Sequence, residues 1–396
     1  MDNKDLEYLL KYNPHKVQNI YKPGITTSTA GLHFDALKNS NFKYRVKSTN
    51  RKYLKQIDLL RIDGSLIGSV LNPYYPTTTK LAREITNDKL KTEKLLNFFG
   101  INTPRSRVYN PGNVDMAFNE TFKNNHNNVV IKPLASSFGR GVRVNVSEDR
   151  FKYNWDLAVK DIKESDKRIV VQAYLKGFEA RVTIIEGAVE SVVVRVPPNI
   201  KGDGKHSISE LIDIKNEERK QCSYLTKMPI VKSERIREFL LSHKLSFESV
   251  PTDGQAILLN SVSNVAQGGE LIDITDVVSK SIKEAALNAL AAVPGVRTGG
   301  LDVIMTSFED KNPVILEINT FPVLSIPTYP TYGIKKSPAK SYFESVYAID
   351  QYKNNPVYQY IITKQNNYVR DYIQFIERRE NLIKANYDIF TENIVD

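Results

Sequence analysis

The sequence predicts a mixed α/β (α+β) protein with more than one domain. Its 396 residues exceed the size of an ordinary single domain and favour two or three. The composition, 41% hydrophobic and 25% charged, is that of a globular protein that can bury a sizeable core. Along the chain, β-branched runs with strand-like alternation come between segments of helical periodicity.

The net charge of +10 is spread along the chain rather than gathered in blocks. Residues 341–396 carry a net charge of −2, so the excess of positive charge lies before them. No nucleic-acid-binding signature accompanies this charge, and we expect no nucleic-acid partner. Solvated surface lysines explain most of the excess, and a site for a small anion explains part of it.

The sequence contains no targeting or membrane signal. The N-terminal stretch lacks the apolar core of a signal peptide, and no segment approaches the roughly 18 apolar residues of a membrane-spanning helix. The single cysteine, Cys222, excludes internal disulfides, and the five histidines lack zinc-like spacing. We therefore expect a cytoplasmic protein without a membrane partner.

Short strands are expected near the N-terminus, in "FKYRV" and in "DLLRIDGSLIGSVL", the second with a turn at Asp63 and Gly64. A helix is then predicted over 86–100, capped at Thr86 or Asn87. An antiparallel β region follows, with its strands at 129–132, 142–146, 169–174, 180–186 and 189–196.

The pattern then favours helices again. Ser207 and Glu210 have the spacing of a capping box, and further helices are expected over 233–245 and 277–293. Two strand-like segments come next along the chain: "GGLDVIM" and "PVILEIN". The last stretch, 340–396, has the pattern of aromatic helices.

The two late strands carry polar residues that suit a metal. Glu317 and Asn319 are two residues apart, so their side chains share one face of a strand, and Asp302 can lie on the neighbouring strand. Two carboxylates and an amide oxygen suit a hard cation such as Mg²⁺, held with phosphate oxygens. A hairpin with one sheet face open to water is the alternative interpretation.

The stretch "VVIKPLASSFGRGVRV" joins two predicted strands through a loop that is rich in glycine and serine. Glycines in such a loop allow backbone N–H groups to approach phosphate oxygens, and Lys132 adds a positive charge at the strand end. The loop is neither a Walker motif nor a dinucleotide-binding fingerprint. Taken alone, an ordinary hairpin would also explain it.

The segment "VVQAYLKGFEARVTII" passes from a strand through a short linker into another strand. A linker at 172–175 could offer backbone hydrogen bonds to the edge of an adenine, and Glu179 could accept from ribose hydroxyls. Arg181 shares the strand face of Glu179 and could hold a carboxylate or a phosphate. Alone, each of these residues is equally an ordinary charge on a strand.

In combination, these motifs resemble a known family. The order of the following segments is that of ATP-grasp ligases: "NDKLKTEKLLNFFGINTP", "VVIKPLASSFGRGV", "QAYLKGFEARV" and "GGLDVIM…ILEINTFP". Longer segments resemble the ATP-grasp module of cyanophycin synthetases and bifunctional glutathione synthetases: "VVVRVPPNIKGDGKHSISELI", "FESVPTDGQAILLNSVSNVAQGGELIDITD" and "EINTFPVLSIPTYPTYG". The resemblance covers roughly residues 60–335.

The resemblance implies roles for individual positions. The nucleotide-binding positions are Lys89, Lys132, Ser136, Ser137, Gly139, Gly141, Gln172, Tyr174, Leu175 and Glu179. The metal ligands are Asp302, Glu317 and Asn319. The positions around the reacting carboxylate are Arg181, Arg195, Asn264, Gly268 and Gly269. Gln172 and Val323 depart from the family pattern, which often has Glu and Gly at these places.

The resemblance also implies an ATP-grasp fold of two α/β lobes that clasp ATP. Its domains are an N-terminal lobe (1–85), an ATP-grasp module (86–335) and a helical appendage (336–396). Within the module we expect a linker helix region (86–127), a β lobe that closes over ATP (128–200) and a metal and substrate lobe (201–335). The appendage is expected to pack on the core or to form a homodimer.

The implied activity is ligation of a small-molecule carboxylate and an amine through an acyl phosphate, with ATP and Mg²⁺ or Mn²⁺ as cofactors. An amino acid or a small peptide is the expected substrate. Other ATP-grasp outcomes stay open, namely phosphoryl transfer to a hydroxyl or addition of amino acids to a protein tail. A nucleotide-binding scaffold without turnover is the alternative from another class. The chain shows no second half of the kind found in cyanophycin synthetase and no glutamate–cysteine ligase domain.

Overall fold

The described part of the chain forms four β-sheets with helices packed around them. In this computed structural model, the described residues are 1–48, 55–123, 127–134, 141–162, 167–261, 263, 265–355 and 366–386. None of the helices in these ranges combines the length and the apolar composition that a bilayer crossing requires.

The strands are β1 (Lys43–Ser48), β2 (Lys55–Leu60), β3 (Leu66–Leu71), β4 (Arg107–Tyr109), β5 (Val129–Pro133), β6 (Arg143–Val146), β7 (Ile169–Ala173), β8 (Phe178–Ile185), β9 (Ala188–Val196), β10 (Asn199–Lys201), β11 (Ala256–Leu258), β12 (Glu270–Asp273), β13 (Gly299–Met305) and β14 (Val314–Asn319). The α-helices are α1 (Asn3–Tyr12), α2 (Thr29–Lys38), α3 (Lys80–Asn87), α4 (Lys89–Phe98), α5 (Val114–Phe122), α6 (Phe151–Lys160), α7 (Ile208–Lys220), α8 (Ser223–Thr226), α9 (Glu234–Ser242), α10 (Lys280–Ala292), α11 (Ser325–Thr328), α12 (Pro338–Asn354) and α13 (Asn367–Ala385).

A five-stranded antiparallel sheet has the order β12–β9–β8–β13–β14. Strands β8 and β9 form the predicted hairpin, in which Glu186 and Gly187 have φ angles of 46° and 94°. Two positive φ angles give a tight turn that fits the twist of the flanking strands. One face of the sheet, with Val182 and Leu301, packs against α10 through Leu290 in the largest apolar cluster. The opposite face packs into a second apolar cluster through Ile185, Val193 and Leu271, and it carries polar side chains around Arg181.

A second sheet has the order β4–β7–β5–β6 and packs on α6 through Phe151 and Trp155. The β region predicted over 128–200 thus contributes to three sheets. Strands β5, β6 and β7 belong to the four-stranded sheet, β8 and β9 belong to the five-stranded sheet, and β10 pairs with β11 in a two-stranded sheet. Residues 174–177 are the direct covalent connection between the four-stranded and the five-stranded sheet.

The helix predicted over 86–100 begins at a different residue. Helix α3 ends at Asn87 and α4 begins at Lys89, so a cap at Thr86 or Asn87 is wrong. Asp88 is the cap, because its carboxylate accepts from the backbone N–H groups of Leu90 and Lys91. Thr86 cannot act as the cap, since its hydroxyl donates to a carbonyl of the preceding helix. The capping box of Ser207 and Glu210 is confirmed.

The N-terminal and C-terminal segments both pack on the rest of the chain. Strands β1, β2 and β3 form a three-stranded sheet with the predicted turn at Asp63 and Gly64, and α2 contacts α12. Helix α13 packs on α10 and on the β8–β9 turn, where a Cβ added to Gly187 would lie 2.6 Å from Phe375 Cβ. The aromatic helices after residue 336 therefore cover the core, as expected.

Candidate active site

The polar face of the five-stranded sheet gathers charged residues that are far apart in sequence. Residues two apart on a strand share a face, and so do directly paired residues of neighbouring strands. Asp302 on β13 is paired with Arg181 on one side and with Glu317 on the other. The charged and amide side chains of this face are Glu179, Arg181, Arg195, Asp302, Glu317 and Asn319.

Asp302 is held by two arginines. Arg181 Nε donates to Asp302 Oδ1 at 2.5 Å, and both side chains are only 7% exposed. Arg195 Nη2 lies 2.9 Å from Asp302 Oδ2 and also contacts the carboxylate of Glu179. A buried carboxylate needs such partners, because desolvation of an unpaired charge is very costly. The Glu179 carboxylate, which is predicted to bind the ribose, is therefore already paired with Arg195.

Gly300 is a functional position that the sequence reasoning missed. It precedes Asp302 by two residues, on the same face of β13. A Cβ at Gly300 would lie 2.9 Å from Arg181 Nη1 and 3.1 Å from Arg181 Cδ. The glycine therefore leaves room for the guanidinium. The available signal was a glycine inside a strand pattern, which often marks a close approach of another group.

Glu317 has two partners of its own. Lys89 Nζ, at the start of α4, lies 3.0 Å from Glu317 Oε2, and Asn319 Nδ2 donates to Oε1 at 3.0 Å. Burial by itself would raise the pKa of Glu317, but the charge of Lys89 and the hydrogen bond from Asn319 outweigh it and lower that pKa to about 2. The carboxylate is consequently ionised at any ordinary pH.

Lys132 approaches the same place from the four-stranded sheet, at the end of β5. Burial lowers the pKa of its ammonium to about 8, and the neighbouring charge of Lys89 acts in the same direction. Glu317 and Glu93 act in the opposite direction. Two lysines from different parts of the fold therefore converge on Glu317, close enough for their charges to interact.

The predicted adenine linker lies between the two sheets. Gln172 is buried, and its Oε1 accepts from Ser106 Oγ at 3.4 Å. The N–H of Tyr174 donates to the carbonyl of Asn128 at 2.9 Å, which extends the β5–β7 pairing by one residue. The Tyr174 N–H is thus already engaged, whereas the half-buried Leu175 follows it in the linker.

The two predicted loops are described in part. Ser136, Ser137, Gly139 and Asn264 lie outside the described residues. Gly141, at the end of the first loop, has a φ of 71°, and an added Cβ would lie 2.8 Å from Asp161 Cβ. Gly268 and Gly269 are buried immediately before β12, whose residue Leu271 is paired with Arg195. These two glycines therefore lie next to the strand that carries a site arginine.

The donor set of this face fits a hard divalent cation in type. Carboxylate oxygens of Asp302 and Glu317 and the amide of Asn319 are the ligands that such ions prefer. Within the described ranges, no group of three His, Cys, Asp or Glu side chains is arranged to hold a metal. All four carboxylate oxygens of Asp302 and Glu317 instead have nitrogen partners on the protein.

A family profile described as "ATP-grasp domain" matches residues 86–322, more than half of the chain. This chain belongs to the ATP-grasp family. The resemblance inferred from the sequence motifs and the predicted fold class are both confirmed. ATP-grasp ligases use ATP together with a divalent metal.

Curated relatives agree with this assignment. The ATP-grasp chain is 28% identical over 339 residues to a glutathione biosynthesis bifunctional protein GshAB of Clostridium perfringens, covering 83% of this chain and 42% of the relative. It is 27% identical over 291 residues to a cyanophycin synthetase of Crocosphaera subtropica, covering 70% of this chain and 32% of the relative. The chain thus spans less than half the length of these relatives.

One solved structure supports the fold. The crystal structure of a bifunctional glutathione synthetase from Pasteurella multocida superposes with a TM-score of 0.58 at 22% sequence identity. The match covers 80% of this chain and 42% of that chain. At this identity the likeness concerns the ATP-grasp fold alone.

Proposed function

We propose that this chain is an ATP-dependent carboxylate–amine ligase that forms an amide bond through an acyl phosphate. In this reaction a substrate carboxylate oxygen attacks the γ-phosphorus of ATP and releases ADP. An amine then attacks the acyl carbon, and phosphate leaves. The observation that carries the proposal is the convergence of Lys89 and Lys132 on Glu317, beside an Asp302 that is paired with two arginines.

The lysines are assigned to the phosphates of ATP. Lys132 is the stronger candidate, because among the described residues no carboxylate pairs with it as Glu317 pairs with Lys89. An arriving polyphosphate would favour the charged form of Lys132 and hold the ammonium against its oxygens. Lys89 can exchange its carboxylate partner for a phosphate oxygen.

The arginines are assigned to the reacting carboxylate and to the acyl phosphate. Arg195 is the more available of the two, since its side chain is 20% exposed, whereas that of Arg181 is 7% exposed. A guanidinium can bind a carboxylate or phosphate through two parallel N–H groups. Arg181 then keeps Asp302 oriented while Arg195 contacts the substrate.

Asp302, Glu317 and Asn319 are assigned to the metal, with Mg²⁺ as the first choice and Mn²⁺ as the second. When bound, the metal supplies positive charge to the phosphate oxygens during transfer. If the Lys89 ammonium moves from Glu317 to a phosphate oxygen, one carboxylate oxygen of Glu317 becomes free to bind the metal. The protein thus offers a metal site that depends on the nucleotide being present.

The remaining predicted residues are assigned to the nucleotide base and to exclusion of water. Gln172, Tyr174 and Leu175 lie in and beside the linker between the two sheets, where an adenine edge can be reached from both. The loop with Ser136, Ser137, Gly139 and Gly141 is proposed to cover the phosphates. Exclusion of water protects an acyl phosphate from hydrolysis.

The names of the relatives guide the substrate class. They are named for glutathione biosynthesis and for cyanophycin synthesis. We assign an amino acid or a small peptide as the carboxylate substrate, in a cytoplasmic setting. A homodimer built through the aromatic helices is part of the same proposal.

The test is incubation with Mg-ATP, hydroxylamine and a panel of amino acids, dipeptides and small carboxylic acids. ADP and hydroxamates are measured by mass spectrometry. We expect a hydroxamate from one acid or a small set of acids, in amounts equal to the ADP formed. ADP without a hydroxamate contradicts the ligase and indicates a phosphotransferase or uncoupled hydrolysis of ATP. An E317Q variant is the control for contaminating activity.

A further inference from the structure

Helix α7 holds the chain segment that leads into β12. We call residues 265–269 the glycine loop. Arg219 on α7 is only 1% exposed, and its Nη2 donates to the carbonyl of Met228 at 2.7 Å. Both of its terminal nitrogens also lie 3.4 Å from the carbonyl oxygen of Gly269. One buried guanidinium therefore ties α7 to the end of the glycine loop.

Neighbouring side chains of α7 secure the surroundings of the loop. Asn216 donates to the carbonyl of Ile230 and accepts from its N–H, both at 2.9 Å. Gly268 lies against Ile230, since an added Cβ would be 2.7 Å from Ile230 Cγ1. Lys215 Nζ lies 3.1 Å from Glu270 Oε1, directly after the loop. The glycine loop is thus in contact with Ile230 through Gly268, and the residue after the loop, Glu270, is held by Lys215.

Arg219 is a costly residue to bury at this place. In the described part of the chain its guanidinium donates only to backbone carbonyls, and its Nε has no hydrogen-bond partner. Burial lowers the pKa of this guanidinium, and the nearby charge of Glu270 acts in the opposite direction. Because Glu270 is itself paired with Lys215, it compensates the buried guanidinium only in part. Hydrogen bonds to the carbonyls of Met228 and Gly269 fit a residue that holds the position of the loop.

The glycine loop is connected to the site arginine. Gly269 is followed by Glu270, which is paired with Val196 of β9, and the next residue, Leu271, is paired with Arg195. Arg195 in turn contacts Asp302. A shift of the Gly269 carbonyl therefore moves the start of β12 against the strand that carries Arg195.

We propose that Arg219 is a positioning residue that fixes the glycine loop and, through β12, the guanidinium of Arg195 against the reacting carboxylate. The proposal rests on the ligase function proposed above. Arg219 touches neither ATP nor the substrates. Its loss should therefore raise the KM for the carboxylate and, because Arg195 is also assigned to the acyl phosphate, lower the ratio of hydroxamate to ADP, while the KM for ATP stays unchanged.

The chain offers a matched control. Arg379 on α13 is also a partly enclosed arginine whose guanidinium donates to backbone carbonyls, those of Ala291 (2.9 Å) and Val293 (3.1 Å) among them. Burial lowers its pKa to about 10. The guanidinium of Arg379 contacts the C-terminal end of α10, which packs on the sheet face opposite to Asp302. R219M and R379M therefore remove comparable hydrogen bonds at different distances from the site.

The experiment measures three quantities for wild type, R219M, R219K and R379M: the KM for ATP, the KM for the carboxylate substrate, and the ratio of hydroxamate to ADP. We expect R219M to lower hydroxamate formation about 100-fold, as a misplacement near 1 Å can do, with an unchanged KM for ATP. R219K should recover part of the ratio, because an ammonium can reach one of the two carbonyls. R379M should lower the thermal midpoint and leave the ratio intact.

Hydrogen exchange of the peptide covering 265–273 provides a readout that needs no turnover. Faster exchange there in R219M, without a matching change in R379M, is expected. Unchanged exchange overturns the positioning role even if wild type proves inactive in the ligase assay. If wild type is active and R219M keeps its hydroxamate ratio, Arg219 is merely structural. An inactive wild type contradicts the ligase function. In that case the hydrogen-exchange rates of 265–273 alone test whether Arg219 fixes the glycine loop.

Discussion

Strand β8 has a carboxylate–arginine cluster at each end, and the two differ in how completely they are closed. At the far end, Glu186 is 1% exposed and accepts from Thr77 and Thr298 at 2.7 and 2.8 Å and from Arg297 at 2.9 Å. At the near end, Asp302 and Glu317 have only nitrogen partners, and the side chain of Glu317 is 28% exposed. In the first cluster two hydroxyls and one arginine enclose the carboxylate, whereas in the second the partners of the carboxylates are cationic or amide groups and Glu317 stays partly open to solvent.

The comparison shows that pairing of charges is not itself a sign of function. Both clusters satisfy buried carboxylates, and both link strands of one sheet. The Glu186 cluster lies beneath α13, where Arg297 is 5.3 Å from the ring centroid of Tyr372 and the Glu186 carboxylate is closed off from solvent. The Asp302 cluster faces the second sheet, from which Lys132 adds a charge. Solvent access to the carboxylate and the convergence of charges from two sheets distinguish the candidate site from a structural contact.

The largest effect is expected from exchanging glutamate for glutamine in each cluster. E317Q should reduce turnover about 100-fold or more, because it removes a charge from the phosphate and metal region, and should cost about 2 to 3 kcal/mol of unfolding free energy above pH 4.5. E186Q should cost about 3 kcal/mol of unfolding free energy, because Arg297 becomes an uncompensated buried cation. Turnover per folded molecule should survive in E186Q. Hydroxamate assays and urea unfolding measure both. Loss of turnover in a folded E186Q protein would contradict the view that the Glu186 cluster is structural and the Asp302 cluster is the active site.

The second prediction concerns Lys132. Among the described residues, the Glu186 cluster has no lysine in the corresponding place. K132M should raise the KM for ATP by about tenfold to a hundredfold, since the phosphate oxygens lose a charged donor. K152M on α6, which removes an exposed ammonium paired with Asp115, is the control and should change nothing. Steady-state kinetics at varied ATP concentration give the KM for ATP of K132M and of K152M. An unchanged KM in K132M would move the phosphate site elsewhere.

The third prediction uses the pKa of Glu317, about 2 in the folded protein against an ordinary value of 4.5. Because the folded-state pKa is depressed, this group contributes stability above pH 4.5 and loses it as the pH falls toward 2. The contribution is about 2 to 3 kcal/mol, at one pKa unit per 1.36 kcal/mol and with allowance for partial exposure. Denaturant unfolding of wild type and E317Q should therefore converge between pH 4.5 and pH 2. Parallel curves would show that Lys89 does not stabilise the carboxylate.

The smallest effects are expected from neighbours of the two clusters. T298V removes a hydroxyl that donates to Glu186 and accepts from its N–H, and should cost about 1 to 2 kcal/mol without affecting turnover. G300A should lower turnover several-fold through displacement of Arg181, with a similar or smaller loss of stability. Thermal unfolding and hydroxamate assays distinguish them. A G300A protein with full activity would show that Arg181 has room to shift.

The elements and the residues that carry chemistry could be predicted because local patterns encode them. The alternation in β8 and β9, the glycine at the hairpin turn and the Ser207 capping box each depend on nearby residues alone. The cap of α4 was misassigned because Thr86, Asn87 and Asp88 are all good caps, and only the packed helix decides which one is used. Similarly, nothing local shows that the strands of 128–200 are divided among three sheets.

The sequence by itself determined the strand faces, the order of the motifs and the presence of two carboxylates and an amide on late strands. The tertiary structure decided the partners: that Arg181 and Arg195 hold Asp302, that Lys89 holds Glu317, and that Gly300 leaves space for a guanidinium. The physical reason is distance along the chain. Register between β8 and β13 joins residues more than a hundred positions apart, and that register results from burial of the whole apolar face.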